Sequence, residues 1–175
     1  MSCILRQDNN RKFAVLGFKR DQLLYDINNY AFIEGSVMDR TTEDHIRHVV
    51  QDVGEEGNED RISRVLDLAV AKCREILYPY TKHEIEQSEL DDTLKEPKVY
   101  GIMLSLPSGF SQTTLNLIGK LVHEYIVCTA VADWMSITNP SRAELWSTKA
   151  EEAKRDIKTS LYNRSNRTRI RMHPY

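Results

Sequence analysis

Apolar side chains recur at steps of three and four through most of this chain, the spacing of helices that bury one face and turn the other to water. The longest such stretch covers residues 111–138, SQTTLNLIGKLVHEYIVCTAVADWMSIT. It follows the breaker cluster Pro107-Ser108-Gly109, and Ser111 is placed to cap it by accepting an otherwise unpaired backbone N–H. In its first half Leu115, Ile118, Leu121, Val122, Tyr125 and Ile126 form a stripe, with Asn116, Lys120, His123 and Glu124 on the opposite face. From Tyr125 to Met135 apolar residues point in almost every direction, leaving Thr129 and Asp133 as the polar exceptions. A helix greasy all round must be wrapped by neighbours. Asn139-Pro140 ends it, because a residue before proline is driven out of the helical region.

Four further helices follow from the same spacing. Asp21 opens the first, with Leu23, Leu24, Ile27, Tyr30 and Ala31 as its stripe and Gly35 as its terminator. Thr41-Thr42-Glu43-Asp44 caps the second, whose inner face is Ile46, Val49, Val50 and Val53. Asn58-Glu59-Asp60 caps the third, with Ile62, Val65, Leu66, Ala69, Cys73, Ile76 and Leu77 running to a break at Pro79. The last, about 140–161, carries Ala143, Trp146, Ala150, Ala153, Ile157 and Leu161 in a nearly heptad stripe. Two of these small alanines facing the central helix allow close packing, so it is expected to lie antiparallel on that helix. Two runs read as short β-strands, about 12–18 and about 98–106, each the other's natural partner. The expected fold is therefore mainly all-α: a five-helix bundle around a central helix at about 111–138, with one or two short strands. Its core scaffold is expected to include Ile118, Tyr125, Val131, Trp134 and Trp146.

At 175 residues with 41% hydrophobic and 29% charged side chains, the chain has the composition of one ordinary domain. Residues 1–162 are expected to form that domain, interrupted by an exposed acidic loop at 81–97 and followed by an extended basic tail at 163–175. The net charge of −2 hides an asymmetry: from Glu43 to Glu96 acids outnumber Lys and Arg by about two to one, whereas after Lys154 Asp156 is the sole acid. Such polarity favours head-to-tail contact or docking on a charged partner. No apolar run is read as long enough to cross a bilayer, and MSCILRQDNNRK is too polar for a secretory signal, so a cytoplasmic protein without membrane contact is expected.

Candidate chemistry is sparse. His45 and His48, with Asp44 and a distant His83 or His123, are the nearest approach to a metal set, but a lone one-turn histidine pair is a weak signal and no metal or cofactor is expected. Cys3, Cys73 and Cys128 are odd in number and far apart, and the last two fall on buried faces, where a thiol serves as apolar filler. His123 lies five residues before Cys128, on a different side of the helix, which excludes that pair as base and nucleophile. The acidic stretch Gly54-Glu55-Glu56-Gly57 would repel phosphate, and the third helix opens with acids where a recognition helix meets DNA. Arg164, Arg167, Arg169 and Arg171 in the tail remain able to neutralise phosphates or acidic protein surfaces. Besides a structural role, two alternatives stay open: a nucleic-acid-binding or regulatory helical protein using that tail, and a metal-dependent enzyme.

The order of elements carries a resemblance. The helix ending Cys73-Arg74-Glu75-Ile76-Leu77-Tyr78-Pro79-Tyr80, the polar loop after it, the long helix from Leu117 to Ile137 and the closing amphipathic helix with its polar tail resemble the head–tail connector (adaptor, head-completion) proteins of tailed bacteriophages and prophages. Gly54-Glu55-Glu56-Gly57-Asn58, Ile76-Leu77-Tyr78-Pro79-Tyr80-Thr81-Lys82 and Ala132-Asp133-Trp134-Met135-Ser136-Ile137-Thr138-Asn139-Pro140 are similar to proteins of Bacteroidetes prophage-like regions. The resemblance covers about residues 58–163, and the first fifty residues depart from a minimal connector. It implies a non-enzymatic subunit, made in the host cytoplasm and built into the virion neck as a homo-oligomeric ring between portal and tail proteins. The 81–97 loop and the 163–175 tail would be its contact elements, with non-specific DNA contact through the tail and no small-molecule substrate.

Overall fold

A computed structural model of the chain describes residues 2–8, 11–38, 44–81 and 97–162. Strands β1 (Ser2–Asp8) and β2 (Arg11–Lys19) are followed by helices α1 (Arg20–Val37) and α2 (Asp44–Gln51), a 3-10 turn (Asp52–Gly54), α3 (Glu56–Ile76) and the single-turn α4 (Tyr78–Thr81). Strand β3 (Val99–Pro107) then leads to the long helices α5 (Gln112–Thr138) and α6 (Pro140–Tyr162). The architecture is mainly α-helical, as the spacing predicts, with a small antiparallel sheet ordered β1-β2-β3.

Helix α5 is the axis. Ser111 caps it by accepting from the Thr114 N–H, and Asn139 is the single residue between it and α6. Ile118, Val122, Tyr125, Ile126, Val127, Cys128, Ala130, Val131, Trp134 and Met135 are all buried. They are enclosed by α6 on one side, by α1 and α3 on others, and by the sheet near the N-terminal end. By length and composition α5 is the one described helix able to cross a membrane, an attribute missed by counting uninterrupted apolar residues; within this fold it is the core element. Trp146, Ala150, Ala153, Ile157 and Leu161 of α6 are buried, so the heptad stripe packs as expected. The five predicted scaffold residues, Ile118, Tyr125, Val131, Trp134 and Trp146, all lie in this core.

Residues 12–18 and 98–106 do form paired strands, with Leu16 opposite Ile102 and Phe18 opposite Tyr100. Alternation puts Ala14, Leu16, Phe18, Tyr100, Ile102, Leu104 and Leu106 on the buried face. The third strand, β1, was not expected. It pairs antiparallel with β2, Asp8 opposite Arg11, and a bulge between Ile4 and Arg6 breaks the alternation that would reveal the strand. Arg74 reaches from α3 to donate to the Gly101 carbonyl at 2.9 Å, tying β3 to the bundle.

Several element ends differ from expectation. Helix α1 runs through Gly35 to Val37, and no described glycine has positive φ, so Gly35 is not a C-cap. Its role is close approach: a Cβ there would sit 2.6 Å from Gln51 Cγ and 3.1 Å from the Arg47 carbonyl of α2. Ile46 and Val49, expected inside, are exposed, because the eight-residue α2 meets α1 through Arg47 and Gln51 and the core through Val50. Helix α3 starts at Glu56 instead of Asn58, whose side chain donates to the Asp52 carbonyl. Pro79 does not end it; Leu77 does, and Pro79 lies within α4. Thr81, expected in the loop, is buried and donates to the Arg74 carbonyl at 2.9 Å. The proposed cap residues 41–43, loop residues 82–96 and tail residues 163–175, including Arg164, Arg167, Arg169 and Arg171, lie outside the described residues.

Polar ties fix the angles between helices. Glu34 is only 8% exposed, yet accepts from Arg142 Nε at 2.7 Å and Trp146 Nε1 at 3.1 Å, locking α1 to the start of α6. Trp134 Nε1 donates to the Val50 carbonyl at 2.9 Å, holding α2 on α5. Arg20 donates to Ser63 Oγ at 3.0 Å and lies 3.7 Å from Glu59, joining the start of α1 to α3. Removing the Glu34 carboxylate leaves a buried indole N–H unpaired, while half-exposed Arg142 regains water. Glu34→Ala is therefore expected to lower unfolding free energy by about 2 kcal/mol, and Glu34→Gln by roughly half that because an amide oxygen still meets Trp146. Urea unfolding followed by tryptophan fluorescence measures both.

Candidate functional site

The polar face of α5 does not simply face water. Asn116, Gly119, Lys120 and His123, at spacings that align them along one side of the helix, form one wall of a groove of about 700 Å³. Leu16, Gly17, Phe18 and Lys19 of β2 form the other wall, with Val99 of β3 and Gln22 of α1 at its end. That volume falls in the range of clefts that hold a drug-sized molecule or a short peptide. The helix lies beside the sheet here: a Cβ at Gly119 would meet Leu16 Cδ2 at 3.5 Å, an ordinary van der Waals contact. Phe18 and the His123 ring lie 6.2 Å apart in a tilted pair.

The groove is cationic. Lys19 and Lys120 line it, and among the described residues no carboxylate does. His123 Nε2 is 2.7 Å from Asp26 Oδ2, so this histidine is anchored to α1. Sequence reasoning placed His123 and Glu124 on a solvated stripe and missed Asp26, because the two are brought together only by the packing of α1 across α5. The spacing of Asp26, Tyr30 and Glu34 at steps of four was a signal for that polar seam.

The seam continues along α1 and α5. The Cys128 thiol donates to Glu124 Oε1 at 3.5 Å, not to His123. Burial pushes this thiol up to about 12, and the adjacent Glu124 carboxylate adds to the effect. Burial alone pushes Cys73 up to about 12. The Tyr30 hydroxyl is likewise raised, by burial first and by Glu124 next. These groups hold their protons at neutral pH and pack helices together. Of the histidines considered for a metal set, His48 is exposed and His123 is paired with Asp26, while the side chain of His45 and all of His83 lie outside the described residues. Among the described residues no three metal-ligating side chains converge.

A second surface adjoins the groove. Beyond Gln22, the outward side of α1 presents Tyr25, Asn29, Phe32, Ile33, Ser36 and Val37, without one charged side chain. Tyr25 is 66% exposed, Phe32 59% and Val37 70%. The opposite side of α1 buries Leu23, Ile27 and Ala31, and α2 borders the stripe through Gln51, which donates to the Phe32 carbonyl and to Ser36 Oγ, yet the aromatic and aliphatic side chains of the stripe stay exposed. With a fully exposed aromatic at about 200 Å², the stripe offers roughly 400 Å² of large side chains. Patches of that size on single proteins commonly mark interaction sites, and depletion of charge with aromatic enrichment is the composition of interface centres. Periodicity alone hid the surface, since Tyr30 and Leu24 completed a plausible inner stripe and drew attention from the outer one.

The raised thiols set a pH dependence. In an unfolded chain a cysteine ionises near its ordinary value of 9.0, whereas Cys73 and Cys128 in the fold resist until about 12. The unfolded state thus sheds protons first, and stability falls as pH rises from about 9 towards 12. Urea midpoints measured across that range should decline, with a shallower decline in Cys73→Ala. At pH 8 an alkylating reagent should leave Cys73 and Cys128 unlabelled until the chain is denatured, as peptide mass mapping would show.

Comparison of the chain with family models, curated proteins and solved structures finds no match.

Proposed function

We propose that this protein is a non-enzymatic structural subunit of a phage neck, a head–tail connector that assembles with copies of itself as a ring between portal and tail. The observation that carries the reading is the outward stripe of α1: a rigid helix, fixed from behind by Glu34 and by the core, offering an uncharged aromatic-rich surface to solvent. The resemblance read from residues 58–163 supports the same role. So does the chemistry of the interior, where the buried thiols and Tyr30 are held protonated and act as packing.

The stripe meeting an equal area on a second copy removes roughly 800 Å² from water, short of the ~1,200 Å² of a stable specific interface. The groove beside Gln22 extends the same surface and makes up the difference. A groove that takes a segment of the adjacent copy is not self-complementary, so each copy offers its neighbour a different patch from the one it receives. Such head-to-tail contact is the kind that closes into rings. The tail arginines Arg164, Arg167, Arg169 and Arg171 then reach acidic portal surfaces or passing DNA.

Sedimentation velocity over a concentration series tests the self-contact. The wild-type chain is expected to self-associate, and Phe32→Asp to weaken association at least tenfold, about 1.4 kcal/mol, with an unchanged melting temperature. A wild-type chain that stays monomeric at all concentrations, and also when mixed with its portal partner, removes the proposal. Truncation after Tyr162 is expected to leave the fold intact and to lower the salt slope of duplex-DNA binding by about three to four, one phosphate contact per arginine. Strong salt-dependent DNA binding by a strict monomer would favour the nucleic-acid alternative.

A further inference from the structure

The groove between β2 and α5 has a floor and a rim of different character. Phe18 and Leu16 are buried beneath it and Val99 stands half-exposed at its end, giving an apolar base. Lys19 and Lys120 stand on opposite walls, both exposed. An occupant must therefore bring apolar side chains for the base and negative charge for the walls. A peptide with acids flanked by leucines meets both needs.

The chain contains one such peptide. Residues 82–96 hold six acidic side chains and two lysines, and within them Leu90-Asp91-Asp92-Thr93-Leu94 sets two leucines four apart around a pair of aspartates. We infer that the groove receives this acidic segment from a neighbouring copy, Leu90 and Leu94 covering Phe18 and Val99 while Asp91 and Asp92 lie between Lys19 and Lys120. The inference rests on the ring reading above and names the partner of that surface.

Three considerations support a neighbouring copy as the donor. The charges are complementary, which guides encounter and fixes register between copies. Fifteen residues between Thr81 and Pro97 let the middle of the segment project by at most roughly 25 Å, enough to cross to an adjacent subunit. Groove and segment are different surfaces of one chain, and their pairing is head-to-tail, as a ring requires.

Charge exchange in the full-length protein tests this. Lys19→Glu/Lys120→Glu and Asp91→Lys/Asp92→Lys alter exposed or non-core positions, and circular dichroism with thermal melting verifies that each folds. Each variant alone is expected to self-associate at least tenfold more weakly than wild type, and an equimolar mixture of the two to regain association, because acidic segment then meets basic groove in one direction and basic segment meets acidic groove in the other. A labelled peptide of residues 82–96 should bind the wild-type chain saturably, lose affinity as salt rises, and bind the Lys19→Glu/Lys120→Glu variant at least tenfold less. If the charge variants associate as wild type does while Phe32→Asp does not, the groove assignment is wrong and the ring reading stands. If the peptide binds only a chain lacking its own residues 82–96, the segment fills the groove of its own chain and the inference is overturned. If the wild type never associates, both fall together.

Discussion

Every other feature of this molecule depends on the need of α5 to be enclosed. From Tyr125 to Met135 its side chains are apolar in nearly all directions, and leaving them in water would cost about 1.5–3 kcal/mol for each large one. No single partner helix can cover such a cylinder. The fold supplies α6 by a one-residue link, α1 and α3 from the other sides, and the sheet beside Gly119. Once these partners are in place, their orientations are set by a few buried polar contacts: Glu34 to Trp146 and Arg142, Trp134 to the Val50 carbonyl, Arg20 to Ser63. Such contacts add modestly to stability, but they penalise alternative packings in which an indole or a carboxylate would be buried without a partner.

A core arranged in this way leaves the outer faces of the surrounding elements to function. The inner face of α1 covers α5, and its outer face then stands in solvent with aromatic and aliphatic side chains that the domain itself does not need exposed. The N-terminal half of α5, amphipathic where the second half is not, contributes its polar stripe to the groove opposite β2. The two surfaces meet at Gln22. The same constraint therefore accounts for a rigid interior of protonated, well-packed groups and for an exterior that joins an uncharged stripe on α1 to a groove lined by Lys19 and Lys120.

Much of the helical framework was legible because it rests on periodicity. Three-to-four spacing located the five principal helices, Ser111 and Asn139-Pro140 bracketed the central one, and alternation found the β2–β3 pair. What periodicity could not show falls into two kinds. Ends and edges depend on contacts made elsewhere: Gly35 reads as a helix stop but serves helix–helix contact, and β1 is an edge strand whose bulge erases its alternation. Pairings across the sequence are the second kind. Asp26 with His123 and Glu34 with Trp146 join residues about a hundred positions apart, and nothing local in either partner names the other. The groove was illegible for the same reason, since its walls come from two ends of the chain, and the α1 surface was illegible because an apolar helix gives no sign of which of its faces will find a neighbour.

Native-state hydrogen exchange tests the central claim, that α5 is a sheathed and immobile axis while the work lies on the surface, most directly. Amides from Val122 to Met135 should exchange only through global unfolding, with a protection free energy equal to the unfolding free energy from urea and falling in step with it in Glu34→Ala. Amides of α1 near Phe32 and of β2 near Phe18 should gain protection as protein concentration rises, while those of α5 do not change. Exchange of the α5 centre through a local opening well below the global value, with no concentration dependence anywhere on α1 or β2, would contradict the account.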